Sequence, residues 1–294
     1  MSTFFLLTVT GLGLGALYFL IASGLSLIYG LMGVLNFAHG AFLTVGAYAA
    51  WWTESKLGGL ANLPRFLLGA LVGLVVGAVV GALVEVVLIR PLYKRHIEQV
   101  LVTVGLALAV TALVQAIWGN DARPVPVPEW TQKASHVLGA SIPNDRWVEI
   151  GVAVLVLAAL ELFLAKTRYG LIIRAGVENR AMVTALGIDV RRVFTLVFAL
   201  GGAAAALAGV LANVYFGTVD PARGTSLLIF AFIVVVIGGL GSIRGTAVSA
   251  VVVGLVQQYA NYYASSGLGD LSVVLLLGLV LLARPGGLSP KVAH

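Results

Sequence analysis

The sequence predicts an all-α protein: a polytopic transmembrane helical bundle of about eight or nine spans with glycine-broken segments. Three observations predict it. Of 294 residues, 60% are hydrophobic and 10% charged, where soluble domains run nearer half apolar and a quarter charged. Mean hydropathy is +1.04. The apolar residues fall into nine stretches separated by short polar or glycine-rich segments. Together these exclude a soluble enzyme, a disordered regulator and a nucleic-acid-binding module. The net charge of +6 reads instead as positive charge on cytoplasmic loops. The chain has no Cys, so disulfides, thiolate nucleophiles and Cys-based metal sites are excluded. No segment outside the apolar stretches is long enough for a core of its own, so residues 1–294 read as one transmembrane domain.

The first stretch runs from about Phe4 to Tyr29, and the first Lys is Lys56. It lacks the basic n-region of a cleaved leader and reads as a span. Further stretches cover 41–52, 66–89, 100–118, 147–165, 193–215, 227–237, 246–263 and 271–283. The second, seventh and last are short against the ~20 residues that a crossing helix needs. Lys and Arg are placed unevenly. Arg90, Lys94 and Arg95 follow the third stretch, and Lys166, Arg168, Arg174, Arg180, Arg191 and Arg192 separate the fifth from the sixth. With Arg244, Arg284 and Lys291 these make twelve on one side. Lys56, Arg65, Arg123, Lys133, Arg146 and Arg223, six in all, fall on the other. The bias predicts that segment 166–192 and the C-terminus face the cytoplasm, and nine crossings then put the N-terminus outside.

The largest outer segment is 119–146. Its alternating Pro124, Pro126 and Pro128 favour extended backbone, as a solvated connector or a docking surface for an external partner. The largest inner segment is 166–192. Residues 177–186 contain no Gly or Pro, and Gly187 follows as a helix stop. This predicts a short cytoplasmic helix flanked by basic residues, which by composition alone is a surface helix at the lipid headgroups. Gly69, Gly73, Gly77 and Gly81 recur every fourth residue, on one helix face that admits a close neighbour. Gly11 and Gly15, and Gly201, Ala205 and Gly209, repeat the pattern. The stripes predict a tightly packed bundle with a partner subunit.

Two interruptions carry the candidate path. Residues 30–40 read Gly-Leu-Met-Gly-Val-Leu-Asn-Phe-Ala-His-Gly, and 238–245 read Gly-Gly-Leu-Gly-Ser-Ile-Arg-Gly. Non-helical backbone at membrane depth survives only under protein or beside a water-filled cavity, and paired interruptions in two halves of a chain point to a transport path. The alternative is two tight turns in which Gly supplies positive φ. The candidate path residues are Asn36, Phe37, His39, Gly40, Gly238, Gly239 and Gly241, with Gln257 and Asn261 four apart on one helical face. Hydrogen bonding between helices is the competing role for His39, Gln257 and Asn261. Glu85 and Glu161, near inner ends, are expected to pair with nearby positives.

No phosphate-binding Gly-x-x-x-x-Gly-Lys-[Ser/Thr] run and no His-Glu-x-x-His pair occur, so neither a nucleotide cofactor nor a metal is expected in this chain. Four runs carry a resemblance: Gly24–Gly30 with Asn36–Gly40, Ile89-Arg90-Pro91-Leu92, 175–193 with Glu178-Asn179-Arg180-Ala181-Met182 and Leu186-Gly187-Ile188-Asp189, and 238–245. In this order over nearly the whole chain, they resemble permeases of branched-chain amino acid ABC importers, of the LivH type. The resemblance implies a permease of the cell inner membrane that catalyses no covalent chemistry and needs no cofactor. It implies a second homologous permease, two cytoplasmic ATPase subunits, an external substrate-binding protein and the lipid bilayer as partners. It makes 166–192 a coupling segment, with Arg174, Glu178, Asn179, Arg180, Met182 and Gly187 toward the ATPase. Ala41 stands where relatives often have an acidic residue, and Ala181 where the coupling motif has Glu. Permeases for urea or short amides share these motifs, and a self-contained channel or secondary transporter is the competing class.

Overall fold

The computed structural model describes residues 2–33, 35–93, 95–137, 139–265, 267–284 and 286–288, without the side chains of 177 and 179–181. Lys94, Lys291 and the side chains of Asn179 and Arg180 therefore lie outside the described residues. In chain order, helices α1 (Ser2–Met32), α2 (His39–Lys56) and α3 (Asn62–Val84) come first. A π-turn at Glu85–Ile89 and a 3-10 turn at Arg90–Leu92 extend α3. Then follow α4 (His96–Trp118), β1 (Arg123–Pro124), α5 (Glu129–Gln132), β2 (Ala134–Val137), β3 (Ala140–Pro143) and α6 (Asn144–Lys166). The last part holds α7 (Arg168–Ala185), α8 (Val190–Phe216), β4 (Thr218–Val219), α9 (Arg223–Gly238), α10 (Ile243–Tyr263) and α11 (Leu268–Ala283).

Among the described residues, each of the nine apolar stretches is a helix. Five are long and apolar enough to cross a membrane alone: α1, the 62–92 helix, α4, α6 and α8. Helices α9 and α10 meet the same test only when taken together, and the chain bends by 119° between them. Helices α2, α9 and α11, of 18, 16 and 16 residues, are the three stretches whose apolar runs are short.

Helix α1 is the axis of the bundle. Every residue from 13 to 28 is buried, which is where a helix apolar on all sides belongs. It runs antiparallel to α10, with Gly11 beside Leu255 and Gly15 beside Ala250. A Cβ on Gly15 would lie 2.6 Å from Ala250 O. The second seam joins α3 to α8. Gly73 meets Val210, Gly77 meets Gly202 and Ala206, and Gly81 meets Phe198. Gly69 receives the side chain of Glu54 from α2. The four-glycine stripe is thus used within the chain rather than offered to a partner subunit, because backbone-to-backbone approach yields the dispersion contact that holds helices together in lipid.

One end of the bundle collects α7, the C-termini of α1, α3, α6, α9 and α11, and the N-termini of α4, α8 and α10. The ion pairs Glu85–Arg90 (3.0 Å) and Glu161–Arg244 (2.8 Å) sit here, each acid near an inner end meeting a basic residue as expected. The opposite end carries a small cap. Segment 119–146 is folded rather than simply extended. Strand β2 pairs antiparallel with β3, and β1 with β4. Ala140 and Ile142 pack on Val9 of α1. Pro124 sits in a two-residue edge strand, where its missing N–H costs little, and its carbonyl accepts from Trp51 Nε1 at 3.1 Å.

Helix α7 is longer than the gap in Gly and Pro suggested: it starts at Arg168, not near 177. Thr167 Oγ1 caps it by accepting from Gly170 N at 2.9 Å. Gly170 folds back onto Phe163 and Leu164, and Gly176 packs on Leu31. Tertiary contact overrides the poor helix propensity of both glycines.

Candidate functional site

The two interruptions have different geometry. After α1, Gly33 N donates to Tyr29 O at 2.7 Å. Asn36 then builds the entry to α2: its Oδ1 accepts from Ala38 N at 3.0 Å and its backbone O from His39 N at 3.2 Å. His39 is fully buried, and its Nε2 lies 3.0 Å from Ile21 O. A carbonyl only accepts, so Nε2 carries the proton of the ring. Ile21 is eleven residues before the end of α1, about 16 Å of helix rise. The chain therefore leaves α1 at the α7 end and turns back into the bundle before α2 begins. The first interruption is re-entrant.

Its neighbours are close and mostly small. Gly24 faces His39, where a Cβ would lie 2.9 Å from Cε1. Gly40 faces the start of α9, where a Cβ would lie 2.6 Å from Gly224 O. Phe37 packs on Phe232 with ring centroids 5.0 Å apart, and its N–H points to Thr103 Oγ1 at 3.3 Å. A crevice of about 10 Å³ beside Asn36 is lined by Met32, Leu35, Gln99, Thr103 and Phe198, among others.

The second interruption is a tight turn at the α7 end. Gly238 abuts Gly245, and Gly239 and Gly241 have φ of 95° and 85°, a region that glycine enters without steric cost. Ser242 Oγ caps α10 by accepting from Gly245 N at 3.1 Å. Gly241 lies against Gly30, where a Cβ would stand 2.9 Å from the Gly30 Cα. The two interruptions thus touch where α1 ends.

Gln257 and Asn261 share a face of α10 but have separate partners. Gln257 Oε1 accepts from Tyr18 O–H, and its Nε2 donates to Asp270 Oδ1, both at 2.7 Å. Asn261 Oδ1 accepts from Gly267 N at 3.3 Å and Gly269 N at 3.0 Å, which shapes the α10–α11 turn. Both amides link helices.

Helix α7 has two faces. Ile173, Gly176 and Val183 are buried against the bundle, while Arg174, Glu178 and Met182, spaced by four, are exposed. Met182 is 62% and Leu186 70% exposed, high values for apolar side chains. Gly187 follows with φ of 78°, and a Cβ there would meet nothing within 4 Å. Asp189 caps α8, its Oδ1 accepting from Arg191 N at 3.1 Å.

Two polar clusters were not legible as sites. At the cap end, Arg146 is paired with Asp145 and Glu149 at 3.4 and 3.3 Å and lies 3.5 Å over the Tyr215 ring. Gly13 leaves room for this cluster on α1. The i,i+3 spacing of Arg146 and Glu149 was the available signal. At the α7 end, Glu85 gathers Arg90, Tyr93 and Thr195. Its spacing to Arg90 was visible, but its link to Thr195 on α8 was not.

Comparison with known proteins places the chain in a family. The family described as branched-chain amino acid transport system, permease component, matches residues 7–284. The high-affinity branched-chain amino acid transport system permease protein LivH of Salmonella typhimurium is 31% identical over 287 residues, covering 95% of this chain and 92% of that one. A probable branched-chain amino acid transport permease protein, LivM of Methanocaldococcus jannaschii, is 31% identical over 159 residues, covering 49% of this chain and 46% of that one. A solved chain assigned to a metal-chelate type ABC transporter, in an inward-facing conformation, aligns over 95% of this chain and 85% of its own with TM-score 0.47 and 17% identity. The chain is a multi-pass membrane protein, and it belongs to the family of branched-chain amino acid transport permeases.

Proposed function

We propose that this chain is a permease subunit of an ATP-binding-cassette importer that moves branched-chain or related amino acids across the cell inner membrane by alternating access. The observation that carries the reading is α7: a helix outside the spans, anchored on one face, that holds Arg174, Glu178, Met182 and Leu186 away from the bundle. An apolar, charge-flanked face of this kind on the basic end suits docking to a cytoplasmic ATPase, where a self-contained channel needs no such helix. A second homologous permease completes the path, two ATPase subunits drive it, and an external binding protein delivers substrate at the cap. The re-entrant segment 35–38, with the Gly241 turn that meets Gly30 at the end of α1, forms the gate. ATP-driven closure of the ATPase pair displaces α7 and, through it, the gate. Because delivery is external, the permease need not hold substrate tightly.

The test is reconstitution of the chain with and without a second permease of the family, two ATPase subunits and an external binding protein. Uptake of labelled leucine is expected only in the full assembly and only with ATP. Uptake of leucine by this chain alone without ATP would make it a channel or secondary transporter. Uptake of labelled urea or acetamide in place of leucine would move the substrate to short amides.

A further inference from the structure

We propose that Glu85 is a positioning residue that carries motion from the coupling helix to the re-entrant gate. The proposal rests on the coupling role given to α7 above. The chain of contacts begins where α7 passes through Gly187 into α8. Thr195 lies five residues inside α8, about 8 Å of rise from its start. Its Oγ1 donates to Glu85 Oε2 at 2.6 Å. Arg90 Nη2 donates to the same Oε2 at 3.0 Å and approaches Thr195 Oγ1 at 2.9 Å. Tyr93 O–H donates to Glu85 Oε1, and its ring stands edge-on to Phe194 at 5.0 Å. One fully buried carboxylate thus ties α8 to the 90–93 turn.

From that turn the contacts continue to the gate. Gln99 Nε2 of α4 donates to Leu92 O at 2.6 Å. One turn further along α4, Thr103 Oγ1 accepts from Phe37 N at 3.3 Å. Phe37 belongs to the re-entrant segment. Glu85 also opens the π-turn Glu85–Ile89, a single-turn distortion that is rare in helices and concentrated at functional places. Toward the centre of the bundle, α3 and α8 are locked by the Gly77 and Gly81 seam. The π-turn is where α3 departs from the regular α-helix and its end follows α8.

The experiment uses the reconstituted full assembly. Leu35→Cys supplies the sole thiol of this chain, which has none, and its alkylation by a thiol reagent is compared without nucleotide and with trapped ATP. Glu85→Ala is expected to lower leucine uptake per ATP hydrolysed about tenfold, within the usual span of coupling between linked sites. The same variant is expected to keep ATP hydrolysis and to abolish the ATP-dependent change in Leu35→Cys labelling. Thr195→Val, nearly isosteric, tests the same link should Glu85→Ala fail to assemble, and Glu85→Asp is expected to restore part of the coupling. Unchanged uptake per ATP, or a proportionate fall of uptake and hydrolysis together, makes Glu85 merely structural and overturns the relay. A benzophenone on Glu178→Cys separates the two readings. Its cross-linking to the ATPase with coupling intact in Glu85→Ala defeats only the relay; no cross-link in the otherwise unaltered assembly defeats the coupling role of α7 itself.

Discussion

Arg146 and Glu149 are 11% and 1% exposed at the side chain, whereas the pair Arg95–Glu98 is 67% and 46% exposed. The two pairs look alike in sequence, three residues apart in each case. Their energetics differ because the cost of an unpaired charge depends on its access to water. Glu149→Ala leaves Arg146 buried beside the Tyr215 ring with Asp145 as its remaining ion-pair partner. Leaving a buried charge wholly unpaired costs about 3–5 kcal/mol; Asp145 offsets part of this, and Glu149→Ala is expected to unfold at lower denaturant in detergent. Glu98→Ala is expected to leave the midpoint unmoved, as exposed pairs contribute little. Equal effects of the two substitutions would contradict this assignment. The glycines divide in the same way. Gly77 faces Gly202 O, where a Cβ would lie 2.6 Å away, while Gly105 has nothing within 4 Å. Gly77→Leu is therefore expected to abolish the monodisperse fraction on size exclusion and Gly105→Leu to leave it unaltered.

At the scale of elements, the informative ones are the irregular ones. Helix α2 is short because it starts inside the bundle, and its entry is built by Asn36 rather than by a cap from the first helical turn. Helix α9 is short because the glycine turn after it reverses the chain by 119°. Helix α7 ends at a glycine whose φ of 78° is closed to proline, which is held near −65°. Gly187→Pro is expected to insert normally and to uncouple: leucine uptake should fall severely while ATP hydrolysis by the assembly persists. Normal ATP-driven uptake in that variant would remove the coupling role from this turn.

For the whole molecule, the path of α1 ties the position of the N-terminus to that of α7. Ser2 and α7 lie at opposite ends of the bundle, since α1 begins at the cap and ends against Gly176 through Leu31. On the proposed placement of α7 in the cytoplasm, the N-terminus is outside. Separate Ser2→Cys and Glu178→Cys variants are expected to react with an impermeant thiol reagent from opposite faces, Ser2→Cys from outside in intact cells and Glu178→Cys only after the membrane is opened. Labelling of both from one face would refute the topology. The outer surface of the bundle is apolar along α4 and α11, with Leu101, Leu108, Leu275 and Leu282 exposed, a belt suited to lipid or a second permease.

The helices, their order, the short members and the basic side were legible in the sequence, because a helix in lipid needs only a long enough apolar run and its flanking charges. The two interruptions were equally visible as glycine-rich, polar breaks. Only the tertiary structure decided that the first re-enters and the second merely turns: the distinction rests on His39 reaching Ile21 O and Gly241 meeting Gly30. The same holds for Glu85, whose partner on α8 is 110 residues away. Apolar runs are a local property and are written locally. Depth, and the partner of a buried polar group, depend on which distant helix packs alongside, and no local run of residues records that.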